Sequence, residues 1–272
     1  MNEYPSRIVC MTEETTETLY LLGEQSRIVG ISGFTVRPPQ ARKEKPRVAA
    51  FTSANIDKII ALKPDLVLGF SDLQADIAAE LIRRGVAVAV FNQRSVGEIL
   101  QMIRMLGGMV GAAVAADRLA NELAANLDRI RQVAASLPRR PRVYFEEWND
   151  PLIAGISWVS ELIEIAGGTD CFSELRGESL ARNRILADPL EVARRAPDLI
   201  IGSWCGKKFN AARVCARDGW GDVPAVRNGH VYEVKSPLIL QPGPAALTDG
   251  VAVLHELITK VASSDADRCC NG

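Results

Sequence analysis

At 272 residues, 47% of them hydrophobic, the chain is long enough for two lobes or one large domain and too apolar for disorder to be the default. Lys and Arg number 32 against 33 Asp and Glu, so a net charge of -1 excludes an electrostatic case for nucleic acid or an anionic membrane surface. No uninterrupted apolar run is long enough for a membrane span, and no membrane insertion is expected.

The first seven residues lack a basic segment followed by an apolar one, so no signal peptide is read. A cytoplasmic location is expected for the chain as written, and a periplasmic or extracellular one if a leader was trimmed. Residues 6–11 read as a first strand, and the acid-rich EETTE at 13–17 starts a helix that ends at Gly23. RIVGIS at 27–32 is a second strand. Residues 33–47 are read as a proline- and base-rich loop whose stiff turns can carry ligand contacts. A short extended run at 48–51 follows, then a helix at 56–62 capped by Ser53 or Asn55. Pro64-Asp65 turns the chain into a buried strand at 66–70. Helix 72–84, strand 86–91 and helix 96–106 complete an alternation that predicts a parallel sheet with crossovers.

Residues 111–137 form the longest predicted helix. Alanine and straight-chain residues dominate, with no proline and no glycine after Gly111. Leu119, Leu123, Leu127, Ile130, Val133 and Leu137 fall at steps of three and four, which is one helical face. After Pro141 the alternation restarts: strand 142–147, helix 158–166, helix 190–196, strand 199–202, helix 211–218, strand 230–234 and a closing helix at 245–261. IDKIIALKPDLVLG at 56–69 aligns without a gap with PLEVARRAPDLIIG at 189–202, one copy on each side of the long helix. Pro-Asp before an apolar strand is common, so coincidence is the competing reading. The better account is two Rossmann-like α/β lobes joined by a single long helix, with the ligand cleft between them. The expected boundaries are an N-terminal lobe at 1–110, the bridging helix at 111–137, a C-terminal lobe at 138–262 and a polar tail at 263–272.

Nucleotide loops, a GxSxG elbow and zinc-ligand spacings are missing, and the chain has only two histidines, so no metal site and no cofactor are expected. The six cysteines show no CxxC spacing, and buried thiols are the expected state. Cys205 or Cys215 as a nucleophile would need an activating base that no spacing supplies. Cys269-Cys270 ends badly for a prenylation signal.

Phe34, Phe51, Phe70, Trp148 and Trp204 each lie in a loop or at the C-terminal end of a predicted strand. Those ends form the binding edge of an open parallel sheet, and aromatics there offer flat apolar area. Taken singly, each can equally plug the core beneath its loop. Glu146 and Glu147 precede Trp148 at a strand end. Adjacent strand residues point to opposite faces, so one of the two is expected to reach a cleft, as a polar ligand contact rather than an acid–base catalyst.

The segment EEWNDPLIAGISWVSELIEIAGG at 146–168 resembles the vitamin B12-binding branch of the substrate-binding proteins of ABC importers. So do NIDKIIALKPDLVL at 55–68, GWGDVPAVRNGHVY at 219–232 and PGPA at 242–245. The resemblance runs from about residue 7 to 258. Its first segment marks a cobalamin-binding-like subgroup, and the others mark the wider family of iron-chelate and haem receptors. It implies two α/β lobes on one helix that close little around ligand. It matches Phe34, Phe51 and Phe70 to aromatic pocket positions. It matches Asp57 to the acid that docks on the permease; the second docking acid falls at Leu190, with Glu191 beside it. Arg184 stands where a pocket aromatic would be.

The function expected is therefore non-catalytic binding of a corrinoid, cobalamin-like, or similar metal-chelate ligand. The role is that of the substrate-binding component of an ABC importer, or of a cytosolic carrier or sensor. The protein is expected to be a monomer with an ABC permease as its partner. Phe34, Phe51, Phe70, Trp148 and Trp204 would line the ligand, with Arg184, Gln241 and Glu146 or Glu147 making polar contacts. Asp57 and Glu191 would dock the permease. The alternatives are an iron-siderophore or haem binder, or an enzyme reusing the cleft with Glu146 or Glu147 as acid–base and Cys205 as a thiol.

Overall fold

The computed structural model describes residues 3–264, so the tail with Cys269 and Cys270 lies outside the described residues. These residues form two compact units. The first takes residues 3–93, 97–124 and 241–244, and the second takes 94–96, 125–240 and 245–264.

The first unit alternates strand and helix: β1 (Ile8–Cys10), α1 (Glu13–Leu21), β2 (Ile28–Ser32), α2 (Pro39–Glu44), β3 (Arg47–Ala49), α3 (Ile56–Ala61), β4 (Leu66–Phe70), α4 (Ala75–Arg83), β5 (Val88–Phe91) and α5 (Val96–Met109). Its sheet has the order β3-β2-β1-β4-β5, with every pairing parallel. The central strands are continuous apolar runs: all five residues of β4 are buried, as expected of strands covered on both faces. Strand order reverses beside β1, so the C-terminal ends of β1 and β4 flank the switch point of the sheet. The expected loop at 33–47 instead contains α2. Pro39 takes its first helical position, where a missing N–H costs nothing.

The long helix α6 (Ala113–Ala134) runs from the first unit into the second, with the division after Ala124. Its buried stripe is Ala116, Ala120, Leu123, Leu127, Ile130 and Ala134. The expected stripe is thus half right: Val133 is exposed, and alanines take the end positions. Alanine wins there because the neighbours are glycines. A Cβ on Gly107 would lie 2.1 Å from the Ala116 Cβ, and one on Gly167 would lie 3.0 Å from that of Ala134.

The second unit contains β6 (Arg142–Asn149), β7 (Leu152–Ala154), α7 (Ser157–Ile165), β8 (Thr169–Asp170), α8 (Leu190–Arg195), β9 (Leu199–Gly202), α9 (Ala211–Cys215), α10 (Pro224–Arg227), β10 (Val231–Glu233), α11 (Ser236–Ile239) and α12 (Val251–Ser264). The sheet order is β10-β9-β6-β7, with β8 also on β6. β7 is antiparallel to β6 and the rest are parallel. The closing helix is preceded by a π turn at Ala246–Gly250.

The Pro-Asp turn of the internal repeat recurs with the same backbone clamp in both copies. Lys63 and Ala196, equivalent in the gapless alignment, both close their helices with positive φ, 49° and 45°. Asp65 accepts the backbone N–H of Arg7 at 2.9 Å, and Asp198 accepts that of Arg142 at 2.8 Å. The Asp65 and Asp198 N–H groups donate back to the carbonyls of Arg7 and Arg142. Arg7 then reaches the Leu62 carbonyl and Arg142 the equivalent Arg195 carbonyl. Each Pro-Asp turn therefore clamps the start of the neighbouring parallel strand. Burial pushes the Asp65 carboxyl up, but hydrogen bonds from Ser6 and Arg7 outweigh it and hold the group below its usual range.

Candidate ligand-binding edges of the two units

All five strands of the first sheet are parallel, so their C-terminal ends lie along one edge. Phe34 follows β2 there with 53% of its surface exposed. Phe51 follows β3, and Phe70 ends β4 and is buried. The Phe51 and Phe70 rings are 6.5 Å apart, tilted by 38°. Gln74, fully buried, ties the two segments together. Its Nε2 donates to the Phe51 carbonyl at 2.9 Å, and its Oε1 accepts the Phe70 N–H at 3.0 Å. Between them Ser71 sits at φ 63°, a strained conformation for a residue with a side chain. Gln74 was not found in the sequence, because a glutamine at a predicted helix start carries no signal. Gln241 belongs to this unit and is half-buried, and its carbonyl accepts the N–H of Gly243.

The same edge carries an acid cluster at the start of α1, where Glu13, Glu14 and Glu17 are all buried. Arg37 pairs with Glu17 at 2.9 Å. Burial first, then the charge of Glu14, push Glu13 up to about 8, and burial pushes Glu14 up to about 7.

In the second unit Glu146 has no exposed surface. Arg217 grips its carboxylate at 2.5 and 2.9 Å, and the Trp204 indole N–H donates to Oε1 at 3.0 Å. The Arg217 guanidinium lies 4.6 Å from the Trp220 ring centre. This corrects the expectation of an exposed contact at Glu146: its carboxylate is a buried core group held by Arg217 and Trp204. Trp204 is corrected likewise. It is buried in the core cluster of its unit, edge-on to Phe209 at 4.9 Å. Arg184 is also inside, held by Glu147 at 2.5 and 3.2 Å and by the Ala154 carbonyl. Its charge is spent on Glu147, and not on a free surface.

Trp148 remains half-buried, its indole N–H on the Asp150 carbonyl at 2.9 Å. Lys207 sits 5.4 Å from the Trp148 ring centre and 5.6 Å from that of Trp204, and donates to Asn149 at 2.9 Å. Sequence reasoning missed Lys207, since a lysine in a GKK loop looks like any solvated charge. Of the thiols, burial pushes both Cys10 and Cys171 up to about 12, which makes them packing groups, while Cys205 is exposed.

Asp57 stands in the first turn of α3, fully on the surface, with Arg84 3.5 Å away. Glu191, in the first turn of α8, is held by Arg194 at 2.8 Å and Arg195 at 2.9 Å. In the repeat, Leu190 is the equivalent of Asp57, and it is exposed. No helix among the described residues is long and apolar enough to cross a membrane.

The chain is similar to the ABC transporter substrate-binding lipoprotein YvrC of Bacillus subtilis, itself uncharacterized, with 27% identity over 93% of this chain and 80% of that one. It is 24% identical to the vitamin B12-binding protein of Vibrio cholerae, over 89% of this chain and 85% of that one. Its fold matches the periplasmic haem-binding protein RhuT from Roseiflexus sp. RS-1, with a TM-score of 0.79 and 22% identity over 93% and 99% of the two chains. The model of the family described as periplasmic binding protein matches residues 8–238, most of the chain, and the protein belongs to that family.

Proposed function

We propose that this protein binds a corrinoid or a similar metal chelate without catalysis and delivers it to an ABC permease as the importer's substrate-binding component. The observation that carries this reading is the similarity, along nearly the whole chain, to a vitamin B12-binding protein. The first unit's edge supports it. Phe34 and Phe51 present ring area beside a rigid Gln74 clamp, and flat apolar rings suit a macrocycle. The relatives do not support a cytosolic location, since one is named a lipoprotein and the family is that of periplasmic binding proteins. The proposed site of action is therefore outside the cytoplasm. Asp57, exposed and only loosely held, is the proposed docking acid. Glu191 is the weaker one, its charge already shared by two arginines. Haem or an iron chelate is the second reading, favoured by the fold match to a haem-binding protein.

Titrating cyanocobalamin and, separately, haemin while following tryptophan fluorescence tests this. Half-buried Trp148 is the reporter. Saturable quenching by cyanocobalamin is the expected result. Saturation by haemin alone would move the reading to haem, and no saturation by either at about 100 μM, an affinity weaker than about -5.5 kcal/mol, would overturn it.

A further inference from the structure

Four buried side chains at the switch-point edge of the first unit each have a polar atom without a partner. They are Glu13 Oε2, Glu14 Oε2, Thr35 Oγ1 and Gln93 Oε1. Their exposures are 6%, 1%, 0% and 4%. Buried polar atoms are almost always satisfied, because an unpaired one keeps the full cost of losing its water. Four on one sheet edge therefore need a common explanation.

Their placement links them. Glu13 and Glu14 follow β1 and open α1. The Val36 N–H, next to Thr35, donates to Glu13. The Gln93 carboxamide donates its Nε2 to the Pro242 carbonyl at 2.9 Å. The following residue, Gly243, lies against Glu14 so closely that a Cβ there would be 2.5 Å from the Glu14 Cβ. The segment 241–244 thus straps the acid pair from one side, with the Gln93 head group turned to that strap.

The chemistry of the four atoms is one-sided. Gln93 has spent a donor on Pro242, so its free atom is an acceptor. Both glutamates offer acceptors, and Glu14 already accepts the Thr12 hydroxyl at 2.5 Å. Once the two carboxylates are ionised, only Thr35 of the four can donate. Of the cations that reach the acid cluster, Arg37 is on Glu17 and Arg42 acts on Glu13 only through space. Among the described residues no group of three or more His, Cys, Asp or Glu is placed to hold a metal ion. What such a set lacks is N–H donors.

We propose that Glu13, Glu14, Thr35 and Gln93 form an acceptor-rich subsite that takes the N–H donors of a primary amide or ammonium group on the ligand and selects against chelates presenting a carboxylate there. This rests on the binding role proposed above and names the chemistry of one part of that site. In the free protein the raised affinity of Glu13 and Glu14 for protons, caused chiefly by burial, fills the same need. An amide N–H replaces that proton as the donor. A carboxylate brings a further negative charge to an edge that already holds three acids.

Cyanocobalamin, whose ring carries primary amides, and the monocarboxylic acids made by hydrolysing one of those amides provide the test. The wild-type protein is expected to bind at least one of the acids about tenfold or more weakly than the parent, equivalent to about 1.4 kcal/mol. In Glu13→Gln/Glu14→Gln that ratio is expected to fall below about threefold, about 0.65 kcal/mol. If the double variant does not fold, by circular dichroism, the single Glu13→Gln is read by the same ratio. An unchanged ratio in a folded variant that still binds cyanocobalamin overturns the subsite and leaves the binding role standing. Equal affinity of wild type for the parent and every acid does the same, as does tight binding of haemin with its two carboxylates. No binding of any of these compounds overturns both.

Discussion

Replacing Arg217 by methionine isolates the polar centre of the second unit. The substitution keeps a long apolar stem over Trp220 and removes the cation that grips Glu146, which has no exposed surface. The Trp204 hydrogen bond would remain on a buried carboxylate. Breaking a buried pair from one side costs about 3–5 kcal/mol, because the surviving charge has lost its partner and gained no water. For a unit of this size each kcal/mol shifts Tm by about 2–4 °C, so Arg217→Met should lower Tm by roughly 6–20 °C. Thermal unfolding at neutral pH, read by circular dichroism and by tryptophan fluorescence, measures it; Trp204 and Trp220 report from the cluster itself. The double variant Glu146→Gln/Arg217→Met should recover more than half of the loss, since a neutral amide can still accept the Trp204 N–H. A Tm for Arg217→Met within about 2 °C of wild type, under about 1 kcal/mol, would refute the placement of this pair as a sealed core element.

Three further outcomes are expected. Stability should fall as pH rises from about 5 to 8. Glu13 and Glu14 hold their protons to about 8 and about 7 in the fold but release them near 4.5 when unfolded, so their contribution is full below the unfolded value and lost as pH climbs. The slope is at most about 1.4 kcal/mol per pH unit for each proton, and Tm against pH for wild type and Glu13→Gln/Glu14→Gln should differ by that slope. Asp170, also raised by burial, leaves a residual slope of the same sign, whereas Asp65, held low, acts in the opposite direction at acid pH. Asn55→Ala should cost about 1 kcal/mol in chemical denaturation, since the Asn55 side chain caps α3 by accepting the Lys58 N–H at 2.9 Å. Gly202→Ala should cost more, about 2 kcal/mol or above, because a Cβ there would lie 1.9 Å from the Phe209 ring; a drop in Tm below about 3 °C would show that the ring moves aside cheaply.

The repeat was the most legible feature. A Pro-Asp turn before an apolar strand, twice, predicted two α/β units, and the structure adds why the aspartate is there: it clamps the backbone of Arg7 or Arg142. Parallel strands and their intervening helices were readable because they are long apolar or periodic runs. The stripe of α6 was half readable, since alanine against glycine packs as tightly as leucine against a gap but leaves no pattern of large residues. β7 and β8 went unseen because two- and three-residue strands have no period to detect. In the candidate site, aromatic residues at strand ends were found by position. Which of them reach the surface was not, because that depends on partners far away in sequence: Trp204 is drawn inward by Glu146, 58 residues earlier. Arg184 and Glu147 satisfy each other for the same reason. The acids of α1 read as ordinary helix-start charges, and only their burial and orphaned atoms set them apart.

The most direct test of the binding role is isothermal titration calorimetry of the purified chain with cyanocobalamin. The account predicts one ligand per chain with a Kd below about 1 μM, or about -8 kcal/mol. At a hundredfold excess over Kd it also predicts a ligand stabilisation of about 2.7 kcal/mol, seen as a rise in Tm. Absence of both the binding heat and the Tm rise at about 100 μM ligand would contradict it.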